Sequence, residues 1–248
     1  MENIFYEKRI LLGVSGSIAA YKSPLLLREL IKNGADVKVI MTPSSENFVS
    51  KMVLSNLSRN DVICDMFDKT MQTSGAWHIK LAHECDLMII APCSASTLGK
   101  LANAVCDNAL VTIAIALEPS VPLLISPAMD STMWLHPATQ RVVRTVQNDG
   151  AIIIPPVEGD LSSGLTGPGR FPEINDIMKQ ISIALNKNEK HKRYIQEVIS
   201  TQTTKADEKK KSELEYLIDS PIESISKAIE KDKYNAELEF EKLKQKLT

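Results

Sequence analysis

The sequence predicts an α/β chain built on an open, doubly wound, mostly parallel sheet. Three observations predict it: short apolar runs rich in Val, Ile and Leu alternate with helix-spaced segments, the glycines that punctuate them stop at Gly169, and the remainder is dense in Lys and Glu. Residues 1–186 therefore read as one domain and residues 187–248 as a charged linker with a helical C-terminal tail.

Taken in order, Arg9–Val14 (RILLGV) reads as the first strand, and Gly13, Ser15 and Gly16 mark the turn that ends it. A helix over residues 19–32 follows, with Leu26, Leu27, Leu30 and Ile31 at helical spacing. Further strands are expected at residues 37–41 (VKVIM), 86–91 (DLMIIA), 121–126 (VPLLIS) and 151–155 (AIIIP). Helices are expected around residues 50–57, 95–117 and 137–149. Strands and helices in alternation bury a parallel sheet on both faces, and ligands of such sheets sit beyond the carboxyl ends of the strands.

Composition narrows the function classes. A chain of 248 residues with 44% hydrophobic residues has material for one full core and an appendage, and a net charge of -2 creates no field for nucleic acid or an anionic membrane. Its apolar runs, such as 110–117, fall well short of the ~20 residues that span a bilayer. Cys64, Cys85, Cys93 and Cys106 form no CxxC pair, and the N-terminus lacks the design of a secretory signal, so a cytoplasmic protein with reduced thiols and no metal site is expected.

The strand ends carry the informative residues. After the first strand, GVSGSIAAYK (residues 13–22) places small residues where backbone amides approach an anion. It is neither a GxGxxG nor a GxxxxGK[ST] motif, which favours a mononucleotide phosphate over a dinucleotide or a triphosphate. After the second strand, Thr42, Pro43, Ser44 and Ser45 add hydroxyls, although Thr42 equally suits a helix N-cap. After the third, Ser94, Ser96 and Thr97 open a helix and suit capping as well. Three hydroxyl-bearing strand ends converge on one crevice.

GSIAAYK (residues 16–22), HI (residues 78–79), APCSASTLGK with CDN (within residues 91–108) and PAMDSTMW (residues 127–134) resemble, in order and spacing, the flavin-dependent cysteine decarboxylases, above all the phosphopantothenoylcysteine decarboxylases of coenzyme A biosynthesis. The resemblance runs over about residues 8–180. It implies a flavodoxin-like (Rossmann-type) sheet, a homo-oligomer based on trimers, and FMN bound between subunits. Carried over by residue, Gly16, Ser17 and Ile18 would hold the FMN phosphate with Thr42 beside it. Ser94, Ala95, Ser96 and Thr97 would line the flavin, and Ala128 would touch it. The family usually has Ala and Asn where this chain has Cys93 and Ser96, and a hydroxyl substitutes for an amide as donor or acceptor. His78 matches the family's active-site histidine, and imidazole both accepts and donates protons near neutral pH. His83 and His136 match no motif and read as structural. The implied reaction oxidises the substrate's cysteine side chain to a thioaldehyde, loses CO2 to leave an enethiol, and reduces the enethiol to the thiol product.

Two catalytic positions depart from the family pattern. Asp130 replaces an asparagine that hydrogen-bonds the substrate, including its carboxylate. Two carboxylates about 4 Å apart at an effective dielectric near 20 repel by about 4 kcal/mol, more than the ~1.5–3 kcal/mol of a charged hydrogen bond. Ionised Asp130 should weaken substrate binding, whereas a protonated Asp130, with a raised pKa, would donate a hydrogen bond. In GDLSSGLTGPGR (residues 159–170), Ser163 stands where the family flap carries a cysteine that donates a proton, and a hydroxyl is a far poorer acid than a thiol.

Three readings follow. The first is a decarboxylase of phosphopantothenoylcysteine in which water or another group replaces the thiol. The second is a decarboxylase of a different cysteine-containing substrate, or one that stops at the enethiol. The third is a catalytically impaired FMN-binding regulatory or partner subunit. The tail lacks the glycine-rich sequence of a fused synthetase domain, so no ligase activity is expected. Within it, Leu214, Leu217, Ile218, Ile222, Ile225 and Ile229 lie at helical spacing, with Pro221 at a helix boundary.

Overall fold

The computed structural model describes residues 3–67 and 75–202. Five parallel strands, β1 (Arg9–Val14), β2 (Asp36–Met41), β3 (Leu87–Cys93), β4 (Leu123–Pro127) and β5 (Ile152–Ile153), form one sheet in the order β2-β1-β3-β4-β5. This is the flavodoxin-like order, whose switch point lies between β1 and β3.

The alternation along the strands decides which helix covers which face. Ile10, Leu12 and Val14 of β1, with Val37, Val39, Leu87 and Ile89, point into one buried cluster. Leu26, Leu27 and Leu30 of α1 (Ser23–Lys32), Leu54 of α2 (Lys51–Ser58) and Ile177 and Ile181 of α8 (Ile174–Gln202) close that cluster. Leu11, Ile40, Met88, Ile90 and Ile125 point the other way. They meet Trp77 and Ala82 of α3 (Trp77–His83), Leu98 of α4 (Ala95–Ala102), Ile113 of α5 (Ala109–Ile115) and Val143 of α7 (Pro137–Asn148).

The first strand lies where the sequence places it. The fifth shrinks to two residues, and the helix expected over 19–32 begins instead as a 3-10 turn, Ile18–Lys22, before α1 starts at Ser23. Pro24 sits at the opening of α1, where its missing N–H costs no helical bond. The single helix expected over 95–117 is two helices. Asn103 ends α4 by donating Nδ2–H to the Gly99 carbonyl (2.7 Å), Ala104 has φ of 50°, and Asn108 caps α5 by accepting from Val111 N (3.1 Å). Asp107 of the CDN motif pairs with Lys100 (2.6 Å). These residues are spent on ending one helix and starting the next.

Several elements have no counterpart in the sequence reading: α3, which carries His78, an antiparallel hairpin of β6 (Val157–Asp160) and β7 (Thr166–Arg170), and the first turns of α8 before residue 187. A further one, the short helix α6 (Ser131–Leu135), begins inside PAMDSTMW and ends one residue beyond it. By contacts the chain divides into Met1–Lys187 and Asn188–Thr248. The start of the expected charged linker is helical, as part of α8, and the amphipathic stretch 212–247 lies outside the described residues. No helix among the described residues is long and apolar enough to cross a membrane.

Candidate functional site

Four loops meet at the carboxyl edge of the sheet, and short polar contacts join them. Ser15, fully buried after β1, donates its hydroxyl to the Pro92 carbonyl (2.8 Å) and accepts from Ser94 N (2.7 Å), which ties the loop after β1 to the loop after β3. The loop after β4 joins them: Ala128 N donates to the Cys93 carbonyl (3.1 Å), and Ser17 Oγ donates to the Ala128 carbonyl (3.4 Å). Thr42 N donates to the Val14 carbonyl (3.0 Å), which brings in the loop after β2.

At the centre of this junction, Gly16 is required by space. A Cβ there would lie 2.5 Å from Ser44 Oγ and 2.9 Å from Ser44 Cβ, so any side chain drives the first two loops apart. Thr42 Oγ1 and Ser44 Oγ are 3.1 Å apart, and Ser17 caps the 3-10 turn through its hydroxyl. The loop segments 13–22, 42–45 and 91–97 contain no acidic side chain. Hydroxyls and backbone amides around a glycine, on segments free of acidic side chains, suit a phosphate group.

Of the residues expected to hold a cofactor, Gly16, Ser17, Thr42, Ser94, Thr97 and Ala128 thus fall in one connected set. Ser94 accepts from Thr97 N (3.3 Å) and donates to Thr97 Oγ1 (3.2 Å), so it does cap α4, as its position allows. Ile18 is half exposed, Ser96 is exposed and Ala95 is partly buried, and all three border the junction in sequence. Ser15 and Ser44 were not singled out as site residues. Their signal was present in the quoted loops, but only the fold shows that Ser15 bridges two strand ends and that Ser44 abuts Gly16.

His78 stands in the first turn of α3, partly buried, its ring edge-on to Trp77 with centroids 5.7 Å apart. Among the described residues no hydrogen bond joins it to the junction. His83 pairs with Glu118 (2.8 Å), and His136 caps α7 by accepting from Ala138 N on Nδ1 (3.1 Å). Each is thus engaged in a local contact of its own.

The two departures from the family pattern meet each other. Ser163, at the tip of the β6–β7 hairpin, donates its hydroxyl to Asp130 Oδ2 at 2.6 Å. Asp130 Oδ1 accepts from Thr132 N (3.1 Å) and Thr132 Oγ1 (3.0 Å). The Ser163 hydroxyl first, and Thr132 second, hold the Asp130 carboxyl below the usual carboxylate range. This corrects the protonated alternative: donors favour the ionised form, and no burial opposes them strongly enough to raise the pKa. The stem of the hairpin docks just as closely. Met129 N donates to the Gly169 carbonyl (3.1 Å), and side chains at Gly167 or Gly169 would strike Ser131 Oγ or the Met129 carbonyl. Among the described residues no group of His, Cys, Asp and Glu is arranged to hold a metal ion.

The family model described as Flavoprotein matches residues 4–186. The chain is 42% identical over 172 residues to the coenzyme A biosynthesis bifunctional protein CoaBC of Bacillus subtilis, covering 69% of this chain and 42% of that protein. Thus it spans less than half the length of that bifunctional relative. It is 37% identical over 174 residues to a Streptococcus mutans protein named "Probable phosphopantothenoylcysteine decarboxylase", covering 70% of this chain and 97% of that one. Among solved structures, a PPC decarboxylase with a cysteine-to-serine mutation, complexed with pantothenoylaminoethenethiol, superposes with a TM-score of 0.65 at 34% identity, over 71% of this chain and 97% of that chain. The FMN binding protein AtHal3 superposes with a TM-score of 0.63 at 33% identity, over 71% and 96% of the two chains.

Proposed function

The chain belongs to the Flavoprotein family, and from that premise we propose that it is an FMN-dependent decarboxylase acting on phosphopantothenoylcysteine in coenzyme A biosynthesis. The observation that carries this reading is the junction of four loops around Gly16, where hydroxyls and amides gather and the segments 13–22, 42–45 and 91–97 carry no acidic side chain. In it Gly16, Ser17, Ile18 and Thr42, with Ser44, hold the FMN phosphate, while Ser94, Ala95, Ser96, Thr97 and Ala128 line the ring. The chemistry FMN supplies when bound is two-electron exchange with the substrate's cysteine side chain. Around it, this chain's residues bind, orient and move protons. His78 exchanges a proton at the substrate's cysteine end, since imidazole serves as both acid and base near neutral pH.

The flap is where this chain differs. Ser163 is a weak proton source, both because it is a hydroxyl and because its proton is directed at Asp130. Asp130 is ionised and both of its oxygens already accept hydrogen bonds, so substrate is oriented mainly by the junction and His78. The same observation favours a second reading, a decarboxylase that releases the enethiol or an impaired partner subunit that needs a donor from elsewhere.

The protein is further proposed to be cytoplasmic and homo-oligomeric, on a trimer-based plan. Exposed Ile18, Tyr21 and Leu25 around the first turn and α1, with exposed Met52 and Val53 on neighbouring α2, give apolar surface for a second copy.

The test is to incubate the FMN-loaded protein with phosphopantothenoylcysteine and follow CO2 and thiol. Release of both supports the first reading and CO2 with accumulating enethiol the second. A protein that stays colourless after FMN addition overturns the cofactor assignment.

A further inference from the structure

The tip of the β6–β7 hairpin is a closed loop with little to hold it down. Leu161 N donates to the Leu165 carbonyl (2.9 Å), Gly164 N to the Leu161 carbonyl (3.0 Å), and Thr166 Oγ1 to Asp160 Oδ1 (2.8 Å), all within the hairpin. Residues 162–166 are exposed, so burial does not anchor the tip. The stem is fixed through Gly167 and Gly169, but the tip reaches the rest of the domain by one side-chain bond among the described residues, from Ser163 to Asp130, 33 positions away. On the far side Thr132 holds Asp130 with two donors, backbone and hydroxyl.

We infer that Asp130 is a positioning residue acting through Ser163: buttressed by Thr132, its carboxylate ties the tip of the hairpin to the loop after β4. Three residues thus form one unit, Thr132 to Asp130 to Ser163, and Thr132 gains a role that sequence reasoning did not assign. The geometry has a chemical consequence. Ser163 has one proton and spends it on Asp130, so its oxygen offers lone pairs to whatever enters beneath the flap and accepts hydrogen bonds there. Losing the Ser163 hydroxyl or the Asp130 carboxylate breaks the unit. A thiol at position 163 is a weak donor, and a neighbouring carboxylate disfavours its thiolate. The tie therefore depends on positions 130 and 163 as a pair. The tie rests on the geometry; its bearing on turnover rests on the decarboxylase reading above.

The experiment is hydrogen–deuterium exchange on the full-length chain, with and without added FMN. Ser163→Ala should speed exchange of the tip amides of Leu161 and Gly164 about fivefold, the scale of one solvent-exposed charged hydrogen bond. Asp130→Asn, which keeps the N-cap of α6, should act in the same direction. The double variant should exceed neither single one by much, and Ser163→Thr should restore protection. Unchanged exchange in Ser163→Ala, or single effects that sum in the double variant, would overturn the tie. A second readout is independent of turnover: alkylation of the thiol introduced by S163C, followed peptide by peptide, should titrate at higher pH than in S163C/D130N. Equal titration overturns the coupling. Coupled exchange without CO2 release refutes the decarboxylase reading and leaves the tie standing; CO2 release without coupling refutes the tie alone.

Discussion

Asp130 and Ser163 each look like a loss when read singly, a charge facing a carboxylate substrate and a hydroxyl where a thiol would serve. Placed 2.6 Å apart, donor to acceptor, they satisfy one another. No local pattern joins two positions 33 residues apart, and only the docking of β7 on the Met129–Ser131 backbone brings the hairpin tip back over Asp130. Gly16 was legible as a turn residue, but not the reason for it: Ser44, from the turn after β2, occupies the space of its Cβ. Gly16→Ala should therefore weaken FMN binding by at least about tenfold, or about 1.4 kcal/mol, measured by quenching of flavin fluorescence. An unchanged Kd in a folded variant would remove Gly16 from the site.

Among the elements, strands were legible because their apolar runs are continuous, as burial on both faces demands. The missed elements are those held by other parts of the molecule. α3 is seven residues long and has no side-chain cap, and it is held by burial of Trp77 and Ala82. The hairpin sequence is rich in Gly and Ser, lacks an alternating apolar pattern, and pairs because its stem lies flush on the loop after β4. The split between α4 and α5 was visible in principle, since Asn108 is a strong capping type. Asn108→Ala should cost about 1 kcal/mol and lower Tm by about 2–4 °C in thermal denaturation, while Asn108→Asp should retain most of the stability.

For the molecule as a whole, the sheet makes a prediction about its thiols. Cys64, Cys85 and Cys93 are buried and Cys106 is exposed. Burial, aided by Glu46, pushes Cys64 up to about 12; burial, aided by Asp86, takes Cys85 to about 12 as well, and burial alone raises Cys93. Only the thiolate is nucleophilic, so a disulfide reagent should modify Cys106 alone in the native protein and reach the other three only in denaturant. Rapid native modification of more than one thiol would contradict this packing. The sequence by itself determined the α/β class, the run of strands and the loops that carry the family motifs, because apolar periodicity and turn chemistry act over a few residues. Only the tertiary structure decided that those loops share hydrogen bonds around Gly16 and that Ser163 closes on Asp130, because contacts between distant residues depend on how the strands are ordered and how closely one backbone docks on another.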